Sequence, residues 1–406
     1  MPRPSRSVAS LRLAMACIIL VGCVLFLTIT EWFARAAFPI VLVEYGAHKE
    51  SYRTSEFDVV ASINTFGFRG VERQVTRGQI VTIGDSFTFG WGVNDQDTWQ
   101  AALALKLRSR GTPLSVYNLG RPGADPDAYL DFARTYIPVL KPRLVIIGIH
   151  QGHNPGQVLE RLDSPPPPGP PTSLYQSLKS HTMDALPGLY GAARALRVLL
   201  GGSPSSADIV VTEGWPEYFP HVISMENAKF PEDITQMARS GNLNPYLLEL
   251  AARYPRHYVA AYEPAAINRV EPRIQEILGQ ITSMSEAQGA SVILLSLPDR
   301  VYFDSANNEI TARIGFELPA PQSCVMDDLV ERLARSLNVG FMTLTNEIRR
   351  RSDRDDLWFA YDGHLTAKGN GIIADYIDTR IAGIVSPVSG HSTKVPYFGE
   401  ACSVMQ

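Results

Sequence analysis

From residue 79 onward, short apolar runs alternate with longer segments in which apolar residues recur every three or four positions. Continuous apolar runs are typical of strands buried on both faces, and the second spacing is typical of helices that face a core. The predicted strands are Ile80–Ile83, Ser115–Asn118, Leu144–Ile149, Ser291–Leu297 and Gly340–Leu344. The predicted helices are Trp99–Arg108, Asp127–Leu140, Ile267–Gln288, Asp327–Leu337 and Thr366–Ile384. This alternation predicts an α/β fold with a parallel sheet between two helical layers.

The alternation is interrupted after the third strand. The proline-rich run 165–171 excludes a helix or a central strand, and helical pieces at Tyr190–Leu200 and Pro245–Ala252 lie among loops rich in Gly, Ser and Pro. We expect a helical insertion at about 156–258 that packs as a roof over a site; the alternative is a disordered surface loop. The other predicted segments are an entry segment of loops and short strands at 34–75, a main domain at 76–386 and a tail at 387–406.

The first residues of the chain have a different character. Leu13–Thr30 contains 18 residues without a formal charge, and as a helix it would span about 27 Å, close to the hydrocarbon thickness of a bilayer. Arg3, Arg6 and Arg12 precede it without an acidic residue, which places the N-terminus in the cytoplasm. The prediction is a cytoplasmic segment 1–12, a transmembrane signal anchor at 13–33 and a single-pass protein of the inner (cell) membrane, with its main domain periplasmic or extracellular.

Two processed forms of the N-terminus remain open. The apolar run is long for a cleaved signal peptide, and it continues beyond Leu20–Cys23, which loosely resembles a bacterial lipobox that would make Cys23 a lipidated N-terminus. Both forms would also place the main domain outside the cytoplasm. In an oxidising compartment Cys324 and Cys402 could form a disulfide that ties down the tail, or they could be two unpaired thiols.

Composition excludes some classes of function. The formal net charge is -4, with 45% hydrophobic and 19% charged residues, as in an ordinary globular protein. Without a basic stripe, nucleic acid is not an expected partner. His150 and His153 have the right side chains for a metal pair but lack a third ligand nearby, so they are predicted to be pocket or packing residues. No metal and no cofactor is expected, and protein partners are not predicted.

Two distant segments contain the residues of a nucleophilic site. Gly84-Asp85-Ser86 follows the first predicted strand, and Asp362-Gly363-His364 lies near the end of the chain. Serine is a weak nucleophile unless a base takes its proton, and the base needs an acceptor that holds it in the right tautomer. Because loops at the carboxyl edge of a parallel sheet converge, Ser86 and His364 can meet there. Asp362 is placed to accept from the imidazole.

Acyl transfer also needs hydrogen-bond donors for the developing oxyanion. Asn118–Gly123 follows the second predicted strand, and its glycines let backbone N–H groups approach a ligand. Gln151–Asn154 follows the third predicted strand, and its asparagine side chain can donate. These segments complete the set of groups that an esterase or acyltransferase requires.

Taken in order, these four segments resemble the motif blocks of the SGNH (GDSL) hydrolase superfamily. The blocks correspond to Gly84–Ser86, Asn118–Gly123, Gly152–Asn154 and Asp362–His364. The resemblance covers about 76–386 apart from the insertion. It implies a flavodoxin-like three-layer α/β/α fold with a five-stranded parallel sheet.

The resemblance also implies a role for each matching residue. Ser86 would be the nucleophile, His364 the base and Asp362 the acid that orients it. The oxyanion hole would consist of the backbone N–H groups of Ser86 and Gly123 and the Asn154 side chain. Asp85 is expected to be a structural hydrogen-bonding residue.

The chain departs from the family pattern in two places. Pro155 stands where the family often has Asp after the third-block Asn. The last block is most often Asp-x-x-His, but here the spacing is Asp-x-His, and the residue three positions before His364 is Tyr361. The shorter spacing resembles the variant in membrane-linked, polysaccharide-modifying members such as the alginate acetylation proteins.

The sequence therefore predicts a serine ester hydrolase that acts outside the cytoplasm on acyl esters, O-acetyl esters by analogy. The substrate would be an acylated small molecule or a cell-envelope glycan. One alternative is an O-acyltransferase that uses the same site, since only the acceptor differs. Another is a non-catalytic envelope scaffold, which a separation of more than about 6 Å between Ser86 and His364 would favour. A lipase would need a broad apolar cleft, for which the sequence offers no amphipathic segment.

Overall fold

The computed structural model describes residues 6–37, 47–71, 75–163, 189, 209–211, 230–240, 242–243, 245–303, 307–318 and 324–385. The chain forms two compact units, residues 1–43 with 167–204 and residues 44–166 with 205–406. In the first unit, helix α1 (Arg6–Ala37) contains an 18-residue window, Cys17–Ala34, with a mean hydropathy of 2.2. By length and composition this helix could cross a membrane, and a signal sequence would pass the same test.

The second unit contains the predicted alternation of strands and helices. Its strands are β1 (His48–Arg53), β2 (Asp58–Ile63), β3 (Ile80–Gly84), β4 (Val116–Gly120), β5 (Leu144–His150), β6 (Ile209–Val211), β7 (Ser291–Leu297) and β8 (Gly340–Thr343). Its helices are α2 (Ser86–Phe89), α3 (Trp99–Ser109), α4 (Pro126–Leu140), α5 (His153–Asp163), α6 (Glu232–Arg239), α7 (Pro245–Arg253), α8 (Pro264–Ala287), α9 (Asn307–Ile314), α10 (Val325–Leu337), α11 (Thr345–Arg349) and α12 (Ala367–Val385). Single 3-10 turns occur at Asp95–Asp97, His257–Ala261, Arg300–Tyr302 and Arg354–Leu357.

The main sheet has five parallel strands in the order β4-β3-β5-β7-β8. In chain order this is 2-1-3-4-5, the flavodoxin-like arrangement, so the predicted fold class is confirmed. Helices α3 and α12 pack against each other, and α8 packs against both α4 and α10. Because crossovers between parallel strands are right-handed, these groups cover opposite faces of the sheet. The strand order reverses between β3 and β5, and ligands of open α/β sheets bind at the carboxyl ends of the strands at such a point.

Burial of the strands explains their sequences. Every residue of β3, β4, β5 and β8 is buried. Each fully buried Ile, Leu or Val side chain contributes about 1.5–3 kcal/mol of transfer free energy. A strand with alternating polar residues would lack this contribution at every second position. The helices α4 and α8 begin at Pro126 and Pro264, slightly before their predicted starts, because the fixed φ of proline suits a first helical turn.

A smaller sheet, in the order β2-β1-β6, packs beside the start of the main sheet. Its strands β1 and β2 form an antiparallel pair, and Arg69 forms isolated bridges to Ile63 and to Asn118 of β4. Tyr52, Phe57 and Phe89 belong to one buried apolar cluster between this pair and α2. The strands β1 and β2 of the entry segment thereby pack against α2, the helix that follows β3.

Some predicted features fall on residues outside those described. They include the helix Tyr190–Leu200, the tail 387–406 and Cys402, so the pairing of buried Cys324 with Cys402 stays a prediction. Helix α5 runs across position 156, where the insertion was expected to begin. The residues 153–163 therefore belong to a helix that starts shortly after β5.

Candidate active site

The predicted nucleophile lies at the carboxyl end of β3. Ser86 is the first residue of the four-residue helix α2, whereas the sequence indicated a loop at this position. Asp85 caps this helix, because its buried Oδ1 accepts a hydrogen bond of 2.9 Å from the backbone N–H of Phe87. The turn presents Ser86 at the edge of the sheet, where its side chain remains partly exposed.

Two glycines make this turn possible. A Cβ atom on Gly84 would lie 2.0 Å from the Oγ1 of Thr88, so the helix can fold back over the strand only when residue 84 lacks a side chain. Gly90 ends the helix with a φ of +81°, which favours glycine, and its N–H donates to the Ser86 carbonyl. The glycines that flank the serine thus determine the position of its backbone.

The structure brings the three predicted catalytic side chains into contact. The Oγ of Ser86 lies 2.7 Å from the Nε2 of His364, and the Nδ1 of His364 lies 2.6 Å from the Oδ1 of Asp362. The Asp362 side chain is completely buried and that of His364 is 17% exposed. Because an ionised carboxylate can only accept, Nδ1 carries the imidazole proton and Nε2 presents a lone pair to Ser86.

The Asp-x-His spacing works because the backbone turns sharply between the two residues. Gly363 has a φ of +85°, and the backbone N–H of His364 donates to Asp362 Oδ1 over 3.1 Å. The other carboxylate oxygen, Oδ2, accepts from the indole Nε1 of Trp91 at 3.3 Å. Both oxygens of Asp362 are thereby satisfied within the protein.

Two charged side chains from other elements hold this loop. The Glu56 carboxylate accepts from the backbone N–H groups of Tyr361 at 3.1 Å and Asp362 at 2.7 Å. On the other side, the buried Arg300 guanidinium donates to the carbonyls of Phe359 at 3.1 Å and Ala360 at 2.6 Å. Glu56 and Arg300 thus bind backbone groups of four consecutive residues, 359–362, that end at the aspartate.

Burial shifts the pKa values of both Glu56 and Arg300. It is the largest influence on Glu56 and raises the pKa of this carboxyl above 4.5, against the backbone hydrogen bonds from Asp362 and Tyr361. Burial likewise lowers the pKa of the Arg300 guanidinium, against the nearby acidic groups. The ionised form of Glu56 is thus less well solvated in the folded protein than in water.

The predicted oxyanion donors follow the strands β3, β4 and β5 in turn. Among the described residues, neither the backbone N–H of Ser86 nor that of Gly123 has a hydrogen-bond acceptor. Gly123 lies on the exposed loop after β4 with a φ of +74°. Strand β4 extends to Gly120, so Leu119 and Gly120 lie in the strand and not in the loop that was expected after Asn118. The pairing of Gly84 with Gly120 accounts for this extension.

Asn154, the third predicted donor, is completely buried and fully engaged. Its Oδ1 accepts from the backbone N–H of His150 at 2.8 Å and from the Tyr129 hydroxyl at 3.1 Å. Its Nδ2 donates to Asp85 Oδ2 at 3.2 Å and to Gln157 Oε1 at 3.1 Å. An oxyanion would have to replace one of these two acceptors, and Gln157, which is partly exposed, is the one that can move.

Gln157 itself connects two predicted members of the oxyanion hole. Its Oε1 accepts from Asn154, and its Nε2 donates to the Gly123 carbonyl over 3.3 Å. Asp85 completes this network below the serine. Burial is the largest influence on Asp85 and raises the pKa of its carboxyl, against the influence of His150 and the bond from Phe87 N–H.

The two histidines predicted as pocket or packing residues lie beside this site. The His150 ring stacks on Phe87 with centroids 3.8 Å apart, and Phe87 in turn lies 4.8 Å from the His364 ring. His153 is the first residue of helix α5, and its ring centroid lies 5.9 Å from that of His150. His153 also contacts His257, which the motifs did not identify.

Several residues of the site lacked any signal in the sequence. Glu56 and Arg300 are ordinary charged residues far from the motifs along the chain. Trp91 lies outside the motif blocks, and only the fold shows its bond to Asp362. Gln157 lies three residues after Asn154. Had the sequence been read as a helix from His153, these two side chains would have been expected on the same helix face.

No protein-family model matches the chain, and no curated protein matches its sequence. Among solved structures, it is similar to a lipase/acylhydrolase from Enterococcus faecalis, with 15% identity, 77% of this chain and 100% of the other covered, and a TM-score of 0.38. It is also similar to a GDSL-like lipase from Bacteroides thetaiotaomicron, with 13% identity, 75% of this chain and 88% of the other covered, and a TM-score of 0.34. For an acetyl xylan esterase the identity is 11%, 74% of this chain and 98% of the other are covered, and the TM-score is 0.37. At these identities and scores, the functional assignment depends on the geometry of the site alone.

Proposed function

We propose that this chain is a serine ester hydrolase of the SGNH type. The observation that carries the proposal is the continuous hydrogen-bond chain Ser86–His364–Asp362, with steps of 2.7 and 2.6 Å. Both steps are within the reach of about 3 Å that proton transfer needs. A scaffold that had lost catalysis would have no need for this alignment of three side chains from opposite ends of the chain.

The geometry supports acylation of Ser86. As Oγ attacks an ester carbonyl, its proton passes to Nε2 of His364, and Asp362 stabilises the imidazolium that forms. The imidazolium then gives this proton to the departing alcohol, which leaves an acyl group on Ser86. Stabilisation by Asp362 is strong because its carboxylate is completely buried and is held by donors from His364 and Trp91.

The negative charge on the carbonyl oxygen would be received by the N–H groups of Ser86 and Gly123. Preorganised donors of this kind typically contribute a factor of about 10²–10³ each. Asn154 becomes the third donor when the Gln157 carboxamide gives way. In deacylation a water molecule, activated by His364, attacks the acyl group and releases the acid. If a sugar hydroxyl reached the acyl group instead, the same site would perform acyl transfer.

We further propose that the site acts outside the cytoplasm on small acyl groups, O-acetyl esters of cell-envelope glycans. Support for the location is the apolar helix α1, and support for the glycan is the resemblance of the Asp-x-His spacing to that of membrane-linked polysaccharide-modifying proteins. Protease treatment of intact spheroplasts would test the location. Digestion of the main domain from outside is expected, and protection until lysis would contradict it.

Hydrolysis of p-nitrophenyl esters by the full-length chain in detergent tests the esterase. Ser86→Ala is expected to reduce turnover by a factor of about 10⁴ or more, because the nucleophile is lost. Activity that falls steeply from acetyl to octanoyl esters would support a small acyl group, and the reverse order would indicate a lipase. Turnover that survives Ser86→Ala in a folded protein would overturn the proposed mechanism.

A further inference from the structure

A second hydrogen-bonded row of ionisable groups lies beside the triad and has no part in the steps above. The Glu160 carboxylate accepts from the Nδ1 of His257 in a short contact, and the Nε2 of His257 lies 2.9 Å from the Nδ1 of His153. The His257 side chain is completely buried. This relay repeats the order carboxylate–imidazole, with a second imidazole in the place where the triad has serine.

The fold is built to permit this relay. Helix α5 supplies Glu160 and His153, and the 3-10 turn after α7 supplies His257. A Cβ atom on Gly156 would lie 2.5 Å from the Cε1 of His257, so the ring can cross α5 only over a glycine. Any other residue at position 156 would push the ring away from both partners.

With a neutral His257, the hydrogen bonds determine which nitrogen of His153 carries a proton. Glu160 can only accept, so the Nδ1 of His257 is protonated, and the Nε2 of a neutral His257 then accepts. It follows that the Nδ1 of His153 donates to His257, and that the Nε2 of His153 is an unprotonated acceptor. Among the described residues this Nε2 has no hydrogen-bond partner, and the His153 side chain is partly exposed.

A chain of ring contacts links His153 to the reacting groups. His153 precedes Asn154, the predicted oxyanion donor, and stacked rings of His150 and Phe87 connect it to His364. Burial is the largest influence on His153 and lowers its pKa well below 6.5. Its ring therefore remains neutral, and its lone pair remains available, wherever the triad is active.

We propose that the Nε2 of His153 accepts a hydrogen bond from a hydroxyl group of the substrate, and that Glu160 and His257 are positioning residues for this acceptor. The inference rests on the proposed esterase function and narrows its substrate class. The alcohol part of the ester carries at least one further hydroxyl, as a sugar or polyol does. Simple alkyl and aryl esters lack the matching donor.

The test compares kcat/KM for a monoacetylated methyl glucopyranoside and for cyclohexyl acetate, two ring esters that differ in their hydroxyls. The wild type is expected to favour the sugar ester by about tenfold, the scale of one hydrogen bond. His153→Asn keeps a donor for His257 but removes the acceptor at the Nε2 position, so the preference should fall to about one. His153→Gln places an amide oxygen near the Nε2 position and should retain part of it.

The matched control is His48→Asn, a histidine on β1 that pairs with Glu50. This variant should keep the full sugar preference. Because the preference is a ratio within each variant, a general loss of folding or of triad activity does not change it. Monodeoxy sugars extend the test, since a single hydroxyl should account for the effect of His153→Asn. An unchanged preference in His153→Asn would overturn the proposal.

The protonation pattern has a readout that does not depend on activity. ¹⁵N spectra of histidine-labelled full-length protein distinguish protonated from bare imidazole nitrogens, and the chain has only 8 histidines to assign. At pH 7, His153 is expected to carry its proton on Nδ1. A proton on Nε2 would contradict the inference whatever the esterase assay shows. Ser86-dependent turnover of p-nitrophenyl acetate tests the proposed function separately, because that ester has no hydroxyl.

Discussion

The carboxylate of Glu56 accepts a hydrogen bond of 2.7 Å from the backbone N–H of Asp362, across 306 positions of the chain. This contact joins the loop between β1 and β2 to the loop that contains the acid of the triad. The smaller sheet therefore helps to fix the backbone of a proposed catalytic residue.

Replacing Glu56 should separate positioning from folding. Glu56→Ala removes the acceptor for two backbone N–H groups, so we expect kcat for p-nitrophenyl acetate to fall about 10–100-fold as the loop loses its alignment. Glu56→Gln keeps one oxygen that can accept both bonds and should retain most of the activity. Equal losses in the two variants would indicate that charge, and not position, is what Glu56 supplies.

The raised pKa of Glu56 gives a prediction with a definite sign. Its pKa is above 4.5 in the folded chain, so the folded state binds this proton more tightly than the unfolded state. The stability linked to Glu56 is fully present below pH 4.5 and is lost as the pH rises through the raised value. In urea unfolding at pH 4 and pH 7, Glu56→Gln should therefore gain stability relative to wild type at the higher pH. A relative loss at pH 7 would contradict this linkage.

Asp362→Asn should reduce kcat by about 10⁴, because an amide can stabilise the wrong imidazole tautomer and cannot balance the imidazolium. Trp91→Phe removes only the donor to Oδ2, so we expect a loss of about tenfold with little change in KM. Steady-state kinetics on p-nitrophenyl acetate would measure both. If the two variants lost the same activity, Trp91 would have to act on more than the orientation of Asp362.

Arg69→Ala should destabilise the fold. This buried guanidinium donates to the carbonyls of Phe89 at 2.9 Å and Val93 at 2.5 Å, and it pairs with Asp95 at 3.3 Å. Its loss leaves buried acceptors unsatisfied, at a cost of about 3–5 kcal/mol in the free energy of unfolding. The control is Arg53→Ala, whose pair with Asp58 is exposed and should contribute less than about 1 kcal/mol. Similar losses in both would refute this account.

Gly84→Ala should both destabilise the protein and reduce its activity. The added methyl would overlap the Oγ1 of Thr88 at 2.0 Å, and relief of such overpacking costs about 1–3 kcal/mol and displaces the helix that holds Ser86. Gly371→Ala on α12 meets no atom within 4 Å and should stabilise the fold by about 0.5–1 kcal/mol. Thermal unfolding and ester turnover would distinguish these outcomes; a neutral Gly84→Ala would show that the turn can relax.

The sequence by itself determined the parallel α/β fold, because strands buried on both faces must be apolar throughout and the helices between them must be amphipathic. It also indicated Ser86, Asp362 and His364, since nucleophilic catalysis permits few side chains and these lie at predicted strand ends. Such local rules depend on neighbouring residues and can be applied without knowing the fold.

Only the tertiary structure decided what surrounds these residues. Glu56 and Arg300 interact with the site, and Gln157 with Gly123, through hydrogen bonds whose formation depends on distances between separate elements. The relay from Glu160 to His153 depends on a turn about 100 positions away that crosses α5 at a glycine. Charged and polar residues of these types are common on protein surfaces, so their spacing along the chain contains no information about such contacts.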